Sequence, residues 1–210
     1  MRGLYAIIDP EACRLPPLAV AQAVLRGGCA ALQLRAKQLS DADFLALGHS
    51  LGRVCRAAGV PFFVNDRVWL ARELGADGVH VGQDDQALEQ VREALGPQAL
   101  IGLSTHSLAQ ALDAERRGAS LIGFGPVFPT RTKLNPEPQV GLPGLREVCS
   151  VLRIPVVAIG GVDPRNAADV AAAGAPLGAA ISALCAAEDP EQAARTLHRV
   201  LQAAPHARQS

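Results

Sequence analysis

The chain has 210 residues, with 20 Lys or Arg against 20 Asp or Glu, so its formal net charge at pH 7 is zero. Hydrophobic residues make up 49% of the sequence, a share that argues against an intrinsically disordered protein. The neutral balance also excludes the overall positive field with which proteins bind nucleic-acid phosphates, so we expect small molecules as partners and no nucleic acid.

Short apolar segments alternate with Ala- and Leu-rich segments along the chain, and Gly marks many of the boundaries. Gly ends a helix at little cost, and the apolar run that follows is typical of a parallel strand buried on both faces. The pattern predicts strands at 3–8, 30–34, 61–64, 77–81, 99–103, 120–124, 154–159 and 177–181. Eight strand–helix units of about 26 residues each fit a compact (β/α)₈ TIM barrel of the α/β class.

The rival fold is an open, doubly wound sheet, which carries a glycine-rich turn after its first strand. Here the first predicted strand ends at Asp9-Pro10, so the barrel is favoured. Because no interior linker is visible, we expect one catalytic barrel over residues 1–203 and a flexible tail over 204–210. The Pro- and Thr-containing segment 126–142 is predicted to be a mobile catalytic loop.

The five cysteines form no CxxC pair and have no histidine at zinc-ligand spacing, which predicts packing thiols and no metal–thiolate site. The N-terminal segment lacks the pattern of a signal peptide. The longest uncharged stretch, 170–187, is interrupted by Gly174, Pro176 and Gly178, which favours a helix, a turn and a strand over a membrane span. We therefore expect a soluble cytoplasmic protein. The sequence leaves its oligomeric state open, a homo-oligomer included.

Polar residues are concentrated where the predicted strands end, and this is where a parallel barrel gathers its catalytic groups. The set comprises Gln33, Arg35, Lys37, Asn65, Asp66, His80, Asp85, Ser104, His106, Thr130, Thr132 and Lys133. The two cations after the second strand could be solvated surface charges. At the mouth of a buried strand, however, a cation needs an anionic partner. His80 is expected to be an ordinary hydrogen-bonded strand histidine.

Two carboxylates on adjacent strands, Asp66 and Asp85, face this cationic set. Each directly precedes a predicted helix, so one interpretation is that they are helix N-caps. The other is a Mg²⁺ site beside a polyphosphate, because Mg²⁺ prefers one or two carboxylates together with substrate phosphate oxygens. The sequence leaves both interpretations open.

A second anion site is predicted after the last two strands. Gly160-Gly161 could be only a tight turn, but barrels often bind phosphate here through backbone N–H groups. Ile181 and Ser182 lie at the neighbouring strand end. Two anion sites on one face fit two phosphorylated substrates or one bisphosphate.

Eight short segments occur in a particular order along the chain, and their combination is far more specific than any single segment. They are LYAIID (4–9), LQLRAK (32–37), FVNDR (63–67), LGADGVHVGQDD (74–85), IGLSTHS (101–107), GFGPVFPTRTK (123–133), IPVVAIGGV (154–162) and AAISAL (179–184). With them the chain resembles the thiamine-phosphate synthase family over essentially its whole length. The family commonly shows REK at 35–37 and GQED at 82–85, and these differences leave the matched positions intact.

The resemblance implies an enzyme that couples 4-amino-2-methyl-5-hydroxymethylpyrimidine diphosphate to 4-methyl-5-(2-phosphooxyethyl)thiazole and releases diphosphate. It implies that the pyrimidine diphosphate is bound by Gln33, Arg35, Lys37, Asn65, Ser104 and Lys133. Among these, Arg35, Ser104 and Lys133 are the expected catalytic residues. It further implies that Asp66 and Asp85 bind Mg²⁺, and that the thiazole phosphate is held by Thr130, Thr132, Gly161, Ile181 and Ser182.

The chemistry implied by the family is dissociative. The carbon–oxygen bond to diphosphate breaks, and the thiazole nitrogen captures the pyrimidine-stabilised carbocation. Such a step depends on stabilising the leaving group, so Mg²⁺, Arg35 and Lys133 would supply the electrostatics.

Two other functions compete with this one. The sister thiazole tautomerase uses a His after the fifth strand as acid and base, and His106 occupies that position. Tautomerases lack the diphosphate and metal set, which is complete here. A non-catalytic sensor of phosphorylated ligands on the same scaffold is the third hypothesis, because a fold alone does not fix a function.

Overall fold

The computed structural model describes residues 1–130 and 137–203, and in these the eight strands close into one parallel barrel. The strands are β1 (Gly3–Ile8), β2 (Ala31–Leu34), β3 (Phe62–Asn65), β4 (Gly78–Val81), β5 (Leu100–Thr105), β6 (Leu121–Phe124), β7 (Val156–Ala158) and β8 (Leu177–Ala180). Each pairs with the next in the chain, and β1 pairs with β8 to complete the ring. The predicted TIM barrel is confirmed, and the open sheet is excluded.

The prediction made β7 too long and β5 too short. Pro155 has no backbone N–H, and the N–H of Ile154 donates to Oε1 of Glu115 at 3.0 Å, so β7 begins only at Val156. β5 extends through Thr105, which places Ser104 inside a strand.

Helices lie between the strands and cover the barrel. They are α1 (Pro17–Gly27), α2 (Asp41–Ala58), α3 (Val68–Leu74), α4 (Leu88–Leu95), α5 (Leu108–Arg116), α6 (Gly141–Val151), α7 (Ala167–Ala172), α8 (Ser182–Cys185) and α9 (Pro190–Gln202). None of the helices in the described ranges is long and apolar enough to cross a membrane. The uncharged stretch 170–187 forms the end of α7, β8 and α8, as expected.

Two apolar clusters hold the barrel together. One lies between strands and helices, and the other fills the barrel interior, where Tyr5, Phe63, Leu121, Val157 and Leu177 pack together. Successive strand residues point to opposite sides, so a strand with apolar residues at every position serves both clusters. This is why the strands appear in the sequence as continuous apolar runs.

Two predicted segments fall partly or wholly outside the described ranges. The tail 204–210 lies outside them, as do residues 131–136 of the segment predicted as a mobile loop. The described parts of that segment, 126–130 and 137–140, contain neither helix nor strand. α6 begins at Gly141, one residue before the predicted end of the loop.

Candidate active site

Gln33 in β2 lies inside the barrel at the base of the candidate site. It is buried, and its Nε2 donates a hydrogen bond of 2.9 Å to the hydroxyl oxygen of Tyr5 in β1. Burial raises the pKa of the Tyr5 phenol well above its ordinary value. The phenol is therefore neutral, and it fixes the orientation of the Gln33 amide.

Arg35 follows β2 at the mouth of the barrel and is paired with an acidic residue. Its Nη1 donates to Oδ2 of Asp9, the residue that follows β1. The Asp9 side chain is 4% exposed and the Arg35 side chain 18%. The other carboxylate oxygen of Asp9 accepts a 3.1 Å hydrogen bond from the backbone N–H of Glu11. Arg35 is thus a held, partly buried cation and not a solvated surface charge.

Lys37, Asp66 and Asp85 form a charged cluster beside Arg35, at the ends of three neighbouring strands. Lys37 Nζ lies 3.4 Å from Oδ2 of Asp66. Burial raises the pKa of Asp66 above its ordinary value, and the charge of Asp85 raises it further, whereas Lys37 lowers it. The cluster therefore brings together residues that are far apart in the sequence.

The backbone of Asp66 is strained. Its φ is +60°, the one positive value among the described residues other than glycine. Residues held in such conformations cost of order 1–3 kcal/mol and are concentrated at functional sites. This strain supports a functional role for the turn between β3 and α3.

The interpretation of Asp66 and Asp85 as helix N-caps is wrong. α3 has Arg67 as its N-cap residue and α4 has Ala87, and neither cap makes a side-chain hydrogen bond. Asp85 Oδ2 instead accepts a 2.6 Å hydrogen bond from the backbone N–H of Gly82. Each helix begins one or two residues later than the sequence suggested, which leaves both carboxylates in the loops.

The two carboxyl groups fit a magnesium site that a substrate completes. The charge of Asp85 disfavours ionisation of Asp66, and a divalent cation would relieve that repulsion. Mg²⁺ typically takes one or two carboxylates and fills its remaining positions with water and phosphate oxygens. Within residues 1–130 and 137–203, no cluster of three or more His, Cys, Asp or Glu is placed to hold a metal. Asp66 and Asp85 are the carboxylates that would hold such an ion.

Ser104 in β5 lies between two neighbours that hold it. Nε2 of His80 is 3.1 Å from Ser104 Oγ, and Nε2 of Gln83 donates to the Ser104 carbonyl. Burial lowers the pKa of His80 to about 4, so the ring is neutral at pH 7. Asn65 is the register partner of His80 between β3 and β4. The structure thus places Asn65 and Ser104 on either side of His80, which is the hydrogen-bonded strand histidine that we expected.

The ring of His106, which follows β5, contacts the loop after β6. Its Nδ1 lies 2.6 Å from the carbonyl oxygen of Gly125. A carbonyl only accepts, so Nδ1 carries the hydrogen in this contact. This contact gives His106 a structural role between β5 and the loop after β6.

The glycine pair after β7 is closely packed. Gly160 and Gly161 have φ values of +94° and +67°. A Cβ on Gly160 would lie 2.6 Å from Pro126 Cα, and one on Gly161 would lie 2.6 Å from the carbonyl oxygen of Pro129. Any larger residue would collide there and would also be strained. The pair therefore needs glycine for two independent reasons.

The remaining predicted residues lie at the start of α8, on the loop after β6 or outside the described ranges. Ile181 packs partly against the barrel interior, and Ser182 is exposed at the start of α8. Thr130 is half-buried. Thr132 and Lys133 lie outside the described residues, so their predicted roles stay predictions.

Sequence reasoning missed two residues of this region. Asp9 follows a strand, so the rule that led to Arg35 would also have found it. Arg67 donates to carbonyls of the loop after β2, including Leu39 at 2.7 Å. This contact joins residues that are 28 positions apart in the sequence, so no local sequence pattern predicts it.

Comparison with known proteins identifies the family. A family model described as thiamine monophosphate synthase matches residues 4–184. The thiamine-phosphate synthase of Roseiflexus sp. (strain RS-1) is 44% identical over 202 residues, which cover 96% of this chain and 86% of that protein. The thiamine-phosphate synthase of Laribacter hongkongensis (strain HLHK9) is 43% identical over 198 residues, with 93% of each chain covered.

Solved structures agree with this result. A thiamine phosphate pyrophosphorylase from Pyrococcus furiosus matches with a TM-score of 0.87 and 37% identity, and the match covers 95% of both chains. A 3-hexulose-6-phosphate synthase matches with a TM-score of 0.70 at 19% identity, covering 95% of this chain and 99% of that one, which shows a shared fold alone. By its sequence, its fold and its relatives, this chain belongs to the thiamine monophosphate synthase family.

Proposed function

We propose that the chain joins 4-amino-2-methyl-5-hydroxymethylpyrimidine diphosphate to 4-methyl-5-(2-phosphooxyethyl)thiazole, with thiamine phosphate and diphosphate as products. Family membership supports the activity. The observation that carries the site is the charged cluster of Lys37, Asp66 and Asp85 next to Arg35.

The diphosphate binds at the charged cluster. Arg35 and Lys37 donate hydrogen bonds to its oxygens, and Lys133 is proposed as a third cation from the loop after β6. Asp66 and Asp85 would hold Mg²⁺, which when bound would neutralise part of the charge on the leaving group. Gln33, Asn65 and Ser104 contact the pyrimidine diphosphate from the barrel interior.

The protein's part in the reaction is to stabilise charge. The bond between the pyrimidine methylene carbon and the diphosphate oxygen breaks, and its electron pair leaves with diphosphate. The thiazole nitrogen then donates its lone pair to that carbon, so no protein nucleophile is needed. Arg35 and Lys37 become more strongly hydrogen-bonded as negative charge develops on the leaving oxygen. Side chains already fixed by neighbours, as Arg35 is by Asp9, need little reorganisation for this.

The thiazole phosphate binds at the other side of the barrel mouth. Backbone N–H groups near Gly161, Ile181 and Ser182 would hold it, together with Thr130 and Thr132. The close packing of Gly160 and Gly161 against residues 126 and 129 supports this proposal, because it fixes the turn that would supply those groups.

The substrates proposed here are small molecules, and we propose the cytoplasm as the compartment. All five cysteines are free thiols in the structure, which suits a reducing environment.

One coupled experiment tests this function. The purified protein is incubated with both precursors, with and without Mg²⁺, and thiamine phosphate and diphosphate are measured. We expect both products, and only with Mg²⁺. Isomerisation of a thiazole carboxylate without diphosphate release would support the tautomerase. Tight binding of both precursors without turnover would support the sensor.

A further inference from the structure

Arg67, the residue after Asp66, has a charged partner and an aromatic ring in contact with its guanidinium. Its Nη1 donates to Oδ1 of Asp41 at 2.8 Å. Its guanidinium carbon lies 4.8 Å from the centre of the Phe44 ring, which is a favourable cation–π distance. The side chain is only 19% exposed. Arg67 is thus anchored on the first turn of α2.

From this anchored position Arg67 donates to three carbonyl oxygens of one loop. Its Nη2 lies 2.7 Å from the carbonyl of Leu39, 3.2 Å from that of Ala36 and 3.3 Å from that of Lys37. Residues 35–40 form neither helix nor strand. Carbonyls that are shielded from water need donors, and for Ala36, which is buried, and Leu39, which is half-buried, one side chain supplies them. The planar guanidinium, with its fixed fork of N–H groups, is suited to such a task, and Lys is not.

The same loop carries Lys37, and the same turn carries Asp66. Lys37 Nζ is 3.4 Å from Asp66 Oδ2. Arg67 therefore contacts the main chain of one member of this pair and is covalently attached to the other. The backbone N–H of Asp66 is also fixed, by a 2.9 Å hydrogen bond to the carbonyl of His80. Because the N–H of Asp66 and the side chain of the following Arg67 are both hydrogen-bonded, the strained φ of Asp66 can persist.

We infer that Arg67 is a positioning residue: it holds the loop after β2 against the turn after β3, so that Lys37 and Asp66 stay side by side. The inference rests on the proposed function, because it gives the pair the task of binding magnesium diphosphate. The Arg67 contacts described above are all to the protein itself, to the first turn of α2 and to the loop after β2. The effect of Arg67 is exerted through the placement of Lys37 and Asp66.

Arg92 provides a matched control at the opposite end of the barrel. Its guanidinium also donates to several loop carbonyls, those of Gly96, Pro97, Ala99 and Gly118. These loops precede β5 and β6 and so lie at the amino ends of the strands. Arg92→Lys removes a similar set of hydrogen bonds far from the proposed site.

The test is a calorimetric titration of inorganic diphosphate in the presence of Mg²⁺. For Arg67→Lys we expect the Kd to rise about 10- to 100-fold, the usual cost of losing a residue that supports a metal site. For Arg92→Lys we expect an unchanged Kd and a lower Tm. Asp41→Ala, which removes an exposed partner of Arg67, should weaken binding in the same direction by less. In steady-state kinetics, Arg67→Lys should raise the KM for the pyrimidine diphosphate and leave the KM for the thiazole phosphate unchanged.

A wild-type Kd in Arg67→Lys, or equal weakening in Arg67→Lys and Arg92→Lys, overturns the inference. If Arg67→Lys does not fold, a wild-type Kd in Asp41→Ala overturns it. Turnover by the wild-type protein is measured on the same preparation. Its absence contradicts the proposed function, whereas normal turnover with an unaffected Arg67→Lys contradicts only the role of Arg67.

Discussion

The carboxyl ends of β1 to β5 and those of β6 to β8 share the geometry of one barrel and differ in chemistry. After the first group lie ion pairs, Asp9 with Arg35 and Lys37 with Asp66. After the second lies a pair of glycines with positive φ, packed against a neighbouring loop. We call these the charged half and the glycine half of the barrel mouth. The difference shows that one scaffold presents two kinds of polar surface at the same mouth, fixed charged side chains in one half and a closely packed main-chain turn in the other. In the proposed function each half would hold one anion.

The largest expected effect lies in the charged half, at Asp85. Asp85→Ala should lower Mg²⁺-dependent turnover by about 10²- to 10³-fold, the cost of losing one electrostatic contact to a transition state. The fold should survive, because Asp85 is exposed. Steady-state assays at several Mg²⁺ concentrations measure the effect. Asp84→Ala, at the adjacent exposed position, is the control. Near-normal turnover in Asp85→Ala would remove Asp85 from the metal site.

The next largest effect is expected from substitution of Asp9, which tests how Arg35 is held in the charged half. Asp9→Asn removes the charge from a buried partner of Arg35, and a hydrogen bond between charged groups contributes about 1.5–3 kcal/mol. We expect kcat/KM for the pyrimidine diphosphate to fall about 10- to 100-fold. The KM for the thiazole phosphate should not change.

Glu89→Gln is the control for Asp9→Asn, since Glu89 accepts two 2.8 Å hydrogen bonds from Arg117 on the exposed outer surface. Its kinetics should match those of the wild type. If Asp9→Asn also behaves like the wild type, Arg35 does not depend on Asp9 for its orientation.

In the glycine half, Gly161→Ala separates backbone strain from close packing. Any Ala at positive φ costs about 1–2 kcal/mol. At Gly75, with φ of +59°, a Cβ has open space, so Gly75→Ala shows that strain alone. Gly161→Ala should be more destabilising, because its Cβ meets the main chain of Pro129. It should also raise the KM for the thiazole phosphate and spare that for the pyrimidine diphosphate. Urea unfolding and kinetics measure both effects, and equal loss of stability in the two variants would contradict the packing.

The smallest effect on turnover at neutral pH concerns His80, whose contribution appears in the pH dependence of stability. Burial lowers its pKa to about 4 from an ordinary value of 6.5. Between these values the unfolded chain binds a proton that the folded chain does not, so stability falls as the pH falls from 6.5 towards 4. The loss amounts to about 3 kcal/mol by pH 4.

Urea unfolding at a series of pH values tests this for the wild type and for His80→Gln. Burial also lowers the pKa of His198, which acts in the same direction in both proteins. The difference between the two pH profiles therefore belongs to His80. Parallel profiles would show that the His80 ring is not buried in its neutral form.

Most of the fold was predictable because the strands are buried on both faces. A run such as 3–8 has no charged residue, and Gly follows many of the helices, so the apolar runs and the Gly positions predict the same element boundaries. The errors in the predicted element boundaries occurred where the local hydrogen bonding departs from the regular pattern. Pro155 shortens β7, and the loop before α4 delays that helix until Leu88.

The site was predictable only in part. The positions of Arg35, Lys37, Asp66 and Asp85 follow from the rule that strand ends face one another. Their partners do not, since the contact of Arg35 with Asp9 depends on side-chain directions that are set by the whole barrel. The strained backbone of Asp66 is equally invisible in a sequence, because φ is fixed by the hydrogen bonds on both sides of the turn.

The most direct test of the division into two halves is inhibition by inorganic diphosphate. In the presence of Mg²⁺, it should compete with the pyrimidine diphosphate and not with the thiazole phosphate, and chelation of Mg²⁺ should abolish the inhibition. Competition with the thiazole phosphate, or inhibition that is independent of Mg²⁺, would contradict the assignment of the leaving group to the charged half.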